Sequence, residues 1–205
     1  MYFSNIWKVV IAMFSLSLMI SRFALAQPVA LVEDGRARSS IVLDADAAED
    51  ERVAAQELQQ YLLKISGAAV AVVPRADAKP LPIYIGQAAA TPQLLAAIKA
   101  RGSDPASFVL KVEPEGIRVI GLSPEGTRFG VYELLEQLGV RWFLPGELGT
   151  VVPQNKTVTL AAQETVQVPS FNGRWDNSGR NFPEWGKHLR MGGPYFPPSH
   201  GVPGI

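Results

Sequence analysis

The chain has 205 residues, of which 47% are hydrophobic and 19% are charged, a balance typical of a globular protein with one core of moderate size. Basic and acidic residues number 19 each, so no excess charge favours nucleic acid or an anionic membrane as a partner. Cysteine is absent, which excludes a disulfide framework, a thiolate nucleophile and a cysteine-ligated metal site.

The first 26 residues have the pattern of a secretory signal peptide. Lys8 supplies a positive charge, an apolar run follows at 9–20, and Ala24 and Ala26 place small side chains where a signal peptidase cleaves. The run is shorter than the roughly 20 apolar residues that cross a bilayer, so a transmembrane anchor is the weaker alternative. We expect cleavage after Ala26, a secreted or periplasmic bacterial protein, and no membrane association of the mature chain.

Signals for strands and helices alternate through the first half of the mature chain. Residues 41–43 predict a short strand. A helix is then predicted from the acidic run at 49–51 to Gly67, because its apolar residues share one face: Val53, Ala54, Leu58, Tyr61, Leu62 and Ile65. Strands are predicted at 69–73 and 81–86. A second helix should begin at Thr91, with a proline next to it, and end at Gly102.

The second half continues the alternation. A hairpin of strands 108–112 and 117–122 leads into a helix between Ser123 and Gly139. Gly126 and Gly130 within this helix indicate a close approach to the sheet. A strand at 140–143 should place Trp142 and Phe143 in the core, and residues 150–160 predict an edge hairpin because they contain Pro153.

The order of elements predicts an α+β fold, a mixed sheet with two to three helices packed on it. Composition changes after residue 168. Glycine, proline, asparagine and aromatic residues then dominate and the periodicity is lost, so we place a domain boundary at Pro169. The expected organisation is a signal peptide at 1–26, one domain at 27–168 and a separate segment at 169–205.

Several stretches resemble the N-terminal accessory domain of bacterial alpha-glucuronidases and of family 20 beta-N-acetylhexosaminidases. They are "AAQELQQYLLKISG", "IYIG" and "GIRVIGLSPEGTRFGVYELLEQLGVRWFLPGE", and the similarity covers about 41–168. The most specific piece is G-x-x-x-G-x-Y-x-L-L-E-x-L-G-V-R-W at 126–142. The resemblance implies a hexosaminidase domain 2-like fold, with two helices on one face of a mixed sheet. It also implies that the domain is not catalytic and precedes the (β/α)₈ barrel that carries the glycoside chemistry.

The stretch "VPSFNGRW" resembles the entry to that barrel. In hexosaminidases a P-x-F-x-x-R-G run stands there and its arginine binds sugar hydroxyls. Arg174 matches that arginine, and Trp175 stands where the pattern has glycine. A barrel needs about 250 residues, so residues 169–205 are expected to be the start of a truncated barrel or a disordered tail. The catalytic carboxylates of the family would lie beyond Ile205.

The segment after the boundary contains further candidate binding residues. Its aromatic residues could stack on sugar rings or pack between domains: Trp175, Phe182, Trp185, Tyr195 and Phe196. Asp176 and Glu184 are interpreted as solvated loop acids. His188 and His200, the two histidines of the chain, match no metal motif in their spacing. The candidate substrate-binding residues are Arg174, Trp175, Trp185 and His200, with no catalytic and no metal-binding residue.

The sequence also limits cofactors and partners. It contains neither the G-x-x-x-x-G-K-[ST] phosphate loop nor the dinucleotide-binding G-x-G-x-x-G, so no nucleotide and no cofactor is expected. We expect the non-catalytic N-terminal portion of a secreted glycoside hydrolase that acts on uronic-acid or amino-sugar glycosides, with carbohydrate as partner through the barrel. The alternative is a stand-alone secreted module that binds carbohydrate or protein.

Overall fold

A computed structural model describes residues 28–74 and 81–194. The predicted signal peptide, its cleavage site at Ala26, and His200, Tyr195 and Phe196 lie outside the described residues. The strands are β1 Val29–Glu33, β2 Arg36–Ala37, β3 Ser39–Val42, β4 Val72–Val73, β5 Leu81–Ile85, β6 Phe108–Glu113, β7 Gly116–Gly121, β8 Arg141–Trp142, β9 Thr150–Val151, β10 Val158–Leu160 and β11 Gln163–Gln167. The helices are α1 Glu49–Ser66, α2 Pro92–Lys99, α3 Pro124–Gln137, α4 Asn177–Asn181 and α5 Pro183–His188.

The main sheet has six strands in the order β11-β6-β7-β5-β3-β4. The pairs β3–β4, β3–β5 and β5–β7 are parallel, whereas β6 pairs antiparallel with β7 and with β11. The predicted mixed α+β sheet is therefore confirmed. Two small sheets accompany it, β10-β1-β2 and β8-β9.

Helices α1 and α3 pack side by side on one face of the main sheet. Helix α1 begins where the Glu51 carboxylate accepts a hydrogen bond from the Ala48 N–H at 3.1 Å, and it ends at Gly67 in the left-handed conformation (φ +77°). Helix α3 begins where Ser123 Oγ accepts from the Gly126 N–H at 3.1 Å. Their apolar faces join the inward side chains of β3, β5, β6 and β7 in the larger core.

Two glycines let α3 lie close to its neighbours, as the sequence predicts. A Cβ at Gly126 would lie 2.7 Å from the carbonyl oxygens of Pro105 and Ser107, and one at Gly130 would lie 2.6 Å from Val119 Cγ1 on β7. Side chains there would push the helix off the sheet.

Helix α2 covers the opposite face of the sheet. Its Leu94 and Ile98 pack with Val109 of β6 and Ile120 of β7 in a second, smaller core. The sheet therefore carries two helices on one face and a third on the other.

Two predictions about residues 140–160 are wrong. The segment 150–160 is no hairpin, because Thr150–Val151 pairs with β8 and Val158–Leu160 pairs with β1. Phe143 is 66% exposed rather than in the core, because strand β8 ends at Trp142 and the chain turns outward after it. Trp142 is buried, as predicted.

Candidate functional site

Residues 170–194, called the docking segment below, fold back on the helical face of residues 28–74 and 81–168, called the sheet domain below. Arg174 and Gly192 exchange backbone hydrogen bonds of 2.9 and 3.0 Å, which close the segment into a loop that contains α4 and α5. Asp176 caps α4 by accepting a hydrogen bond from the Gly179 N–H at 2.5 Å. Helix α5 then lies against α3.

A buried arginine of α3 stands at the centre of this contact. Arg128 is 4% exposed, and its guanidinium donates to Asp50 Oδ1 of α1 at 3.2 Å and to Glu184 Oε2 of α5 at 2.6 Å. Its Nε donates to the hydroxyl of Tyr132, one turn along α3. A buried charge is tolerated when it is paired and hydrogen-bonded, so the docking segment completes the shell around Arg128.

Glu57 of α1 links the same tyrosine to the docking segment. Tyr132 donates to Glu57 Oε2 at 2.6 Å, and His188 Nε2 lies 3.0 Å from Glu57 Oε1. Burial acts to raise the pKa of Glu57. Hydrogen bonds from His188 and Tyr132 and the charge of Arg128 outweigh it and lower that pKa below its ordinary value. Burial, and next the Glu57 charge, raise the pKa of Tyr132, which keeps its hydroxyl protonated as a donor.

Aromatic rings extend the contact beyond the charges. The His188 imidazole stacks on the Trp142 indole with centroids 4.5 Å apart and planes 3° from parallel. Trp142 Nε1 donates to the Tyr61 hydroxyl at 2.7 Å, and Trp185 Nε1 donates to the Trp142 carbonyl at 3.1 Å. The docking segment thus covers both an ionic and an aromatic patch of the sheet domain.

Further ion pairs surround this centre. Arg190 contacts Glu133, at 2.9 Å, and Glu136, and Lys187 contacts Glu125; all three acids belong to α3. The docking segment therefore brings cations to an acidic helix face, and the two surfaces are complementary in charge.

A cleft of about 360 Å³ opens beside the contact. Its walls include Tyr61 and Lys64 of α1, Trp142 of β8, and Trp185 and His188 of α5. Residues 146 and 147 of the β8–β9 connection and residue 150 of β9 also line it. Its volume lies at the lower end of the range for small-molecule sites.

Comparisons with known proteins found matches among solved structures alone. No family model matches the chain, and no curated protein matches it. A family GH115 4-O-methyl-alpha-glucuronidase with specificity for decorated arabinogalactans matches with a TM-score of 0.55 and 21% identity over 71% of this chain. The chain therefore has a glycoside hydrolase-like fold.

Hexosaminidases match less closely. A Streptomyces plicatus beta-hexosaminidase mutant in complex with GlcNAc and the GH20 beta-N-acetylhexosaminidase of Streptomyces coelicolor A3(2) each match with a TM-score of 0.47 and 17% identity over 73% of this chain. The chain spans 19% of the alpha-glucuronidase and 25% of each hexosaminidase.

The structure separates the candidate binding residues that the sequence suggests. Arg174 donates to the carbonyls of Phe171 and Arg190, at 2.7 and 3.1 Å, and lies 3.7 Å from an Asp104 carboxylate oxygen. Trp175 is partly exposed and donates to the Gly193 carbonyl at 2.8 Å. Trp185 lines the cleft described above, whereas Arg174 lines a different cavity. Sugar binding by Arg174, Trp175, Trp185 and His200 stays a prediction.

The charged centre around Arg128 is not among the residues that the sequence suggests. An arginine inside an otherwise apolar helix face was the available signal, because such a residue must find acidic partners when the helix packs. Its partners on α1, Asp50 and Glu57, stand two turns apart on the face of that helix. The spacing alone does not show which residue of the docking segment would join them.

Within the described ranges, no group of histidine, aspartate and glutamate side chains is arranged to hold a metal ion. Of the helices in residues 28–74 and 81–194, none combines the length and apolar character needed to span a bilayer.

Proposed function

We propose that this chain is the non-catalytic N-terminal portion of a secreted glycoside hydrolase acting on uronic-acid or amino-sugar glycosides. In this proposal residues 28–168 support a catalytic barrel, and the docking segment is the start of the polypeptide that they support. The observation that carries the proposal is the seating of the docking segment on α1 and α3 through Arg128, Glu57 and Trp142.

The surroundings of the Glu57 and Glu184 carboxylates support a structural role for this part of the protein. Glycoside hydrolysis normally uses two carboxylates about 5 to 9.5 Å apart across the scissile bond, and the acid among them has a raised pKa. The pKa of Glu57 is lowered instead, and its carboxylate already accepts hydrogen bonds from His188 and Tyr132. Glu184 pairs with Arg128, and its side chain is 73% exposed. Neither is arranged as a general acid.

The fold likeness supports the class of parent enzyme. The alpha-glucuronidase that matches with a TM-score of 0.55 is about five times as long as the stretch that aligns, since that stretch is 19% of its chain. A sheet domain that forms a small part of a larger hydrolase is the arrangement that the proposal assigns to residues 28–168.

The test has two parts. The reading frame beyond codon 205 in the source DNA is expected to encode a barrel with paired carboxylates. The longer product should hydrolyse aryl glycosides of glucuronic acid or N-acetylglucosamine, and residues 27–205 should not. A stop codon directly after Ile205, or turnover by residues 27–205 alone, would contradict the proposal.

A second candidate is a stand-alone carbohydrate-binding module, and the cavity beside Arg174 favours it. This cavity of about 460 Å³ has polar walls suited to sugar hydroxyls: Ser103, Asp104, Glu125, Asn172 and Arg174. Calorimetric titration of residues 27–205 with glucuronic acid and with N-acetylglucosamine tests it. Binding that Asn172→Ala weakens and Phe171→Ala leaves unchanged would support it, and no heat of binding would reject it.

A further inference from the structure

An exposed apolar surface projects from the connection between β8 and β9 and from β9 itself. It consists of Phe143 (66% exposed), Leu144 (63%), Leu148 (fully exposed) and Val151 (50%), and we call it the apolar tip. Four large apolar side chains within nine residues are exposed, and exposed apolar side chains that cluster mark interaction sites in soluble proteins.

The backbone holds the apolar tip in a fixed shape. The Phe143 N–H donates to the Gly149 carbonyl at 2.8 Å, and the Thr150 hydroxyl donates to the Gly146 carbonyl at 3.0 Å. A Cβ at Gly149 would lie 2.1 Å from the Leu144 carbonyl oxygen, so the turn closes tightly on itself. A preorganised loop loses less conformational entropy when it binds.

A cleft that can hold such a side chain lies directly beside the apolar tip. The aromatic cleft of about 360 Å³ is lined on one side by Gly146, Glu147 and Thr150, the residues that flank Leu148. Its other walls are Tyr61, Trp142 and Trp185. One surface therefore carries a protruding leucine and an apolar cleft next to each other.

The surface around the two features carries charges of both signs. Glu147 stands next to Leu148 and lines the side of the cleft nearest the apolar tip, and Lys64 also lines the cleft. Glu184, the acid that the docking segment contributes to the cleft, is paired with Arg128. Seating Leu148 of one copy in the cleft of another would bring Glu147 of the first copy towards Lys64 of the second.

We propose that two copies of this chain associate about a two-fold axis, each placing Leu148 in the aromatic cleft of the other. A two-fold interface uses the same patch on both subunits and must be complementary to itself. Leu148 lies beside the aromatic cleft, and Glu147 and Lys64 carry opposite charges, so the patch meets that condition. The proposal does not depend on the glycoside hydrolase assignment.

Sedimentation velocity of residues 27–205, over roughly 1 to 200 µM, tests it through the monomer–dimer equilibrium. Leu148→Ser is expected to raise the dimer dissociation constant about tenfold or more, as for a hot-spot side chain. Phe171→Ser is the matched control, because Phe171 is 75% exposed but lies outside the apolar tip. Far-UV circular dichroism checks that each variant is folded.

Charge reversal tests the seating itself. Lys64→Glu and Glu147→Lys should each weaken the dimer, and the double variant should restore it because the pair is re-formed across the interface. A protein that stays monomeric throughout, a dimer that Phe171→Ser weakens as much as Leu148→Ser, or a double variant that is not restored would each overturn the proposal.

Discussion

Glu57 illustrates how a single side chain joins two parts of the molecule. It is 19% exposed and accepts hydrogen bonds from α3 and from the docking segment at once. Its pKa is lowered in the folded protein, so the folded state binds fewer protons at this site than the unfolded chain does. Its contribution to stability is therefore present above the unfolded pKa of about 4.3 and is lost as the pH falls through the lower folded pKa.

We expect Glu57→Gln to lower the free energy of unfolding by about 1 to 2 kcal/mol at pH 7, because a charged acceptor is lost. The difference from the unsubstituted protein should shrink as the pH falls from about 5 to 3, where Glu57 itself becomes protonated. Urea unfolding followed by tryptophan fluorescence at several pH values measures both effects.

Glu113→Gln is the matched control for this pH dependence. Glu113 is a strand carboxylate, 44% exposed, whose ion pair is with Lys111 on the same strand. Exposed pairs of this kind contribute little to stability, so its substitution should leave the slope against pH unchanged. Parallel stability curves for Glu57→Gln and the unsubstituted protein would contradict the expectation.

Helix α5 depends on its neighbours for its order. It has six residues, and a helix of this length is not stable in water by itself. Its order comes from four side chains that contact the sheet domain: Glu184 with Arg128, Trp185 with the Trp142 carbonyl, Lys187 with Glu125, and His188 with Glu57 and Trp142.

We expect His188→Ala to open the docking segment without unfolding the sheet. The substitution removes the stacked ring and the hydrogen bond to Glu57, so the open form becomes more populated. Trypsin cleavage after Lys187 and Arg190 tracks that population and should accelerate roughly tenfold. Phe171→Ala should leave the rate unchanged. Equal rates for both variants, or loss of the native far-UV spectrum in His188→Ala, would count against this role of His188.

Local sequence signals predict the helices better than the strand partners. Helix α3 follows from a serine cap, a first-turn proline and an apolar face, all of which lie within one segment. Strand β10 pairs with β1, more than a hundred residues earlier, and nothing in residues 150–160 encodes that partner. The hairpin predicted there failed because pairing of distant strands depends on tertiary contacts.

At the scale of the whole molecule, the same limit applies to the candidate site. The sequence predicts the sheet with its helices and the change of character at Pro169, since each depends on local periodicity or composition. It does not predict that Arg128, Glu57 and Trp142 meet Glu184 and His188, because those contacts join three segments that are distant in the chain. Trp185, one of the aromatic residues that suggest sugar binding, donates its indole N–H to the Trp142 carbonyl and so holds the docking segment on the sheet domain.

The division of the molecule into the sheet domain and the docking segment predicts how a shortened protein behaves. A variant ending at Val168 keeps both cores and the six-stranded sheet, so it should fold and unfold cooperatively. It loses Glu184, one partner of Arg128, and His188, one partner of Glu57, and it uncovers Trp142, so its free energy of unfolding should fall by about 2 to 4 kcal/mol. It should also bind the dye ANS, which reports exposed apolar surface.

A variant ending at Pro194 is the matched control, because it keeps every contact between the docking segment and the sheet domain. Its stability should equal that of residues 27–205, measured by the same urea titration.

Unfolding of the variant ending at Val168 shows whether the docking segment takes part in folding the sheet domain or only stabilises it. If the variant ending at Val168 has no cooperative transition, the docking segment is part of the folding unit. If its stability is unchanged, the buried charges of α3 need no partner from the docking segment. Either result would contradict a self-sufficient sheet domain that the docking segment stabilises from outside.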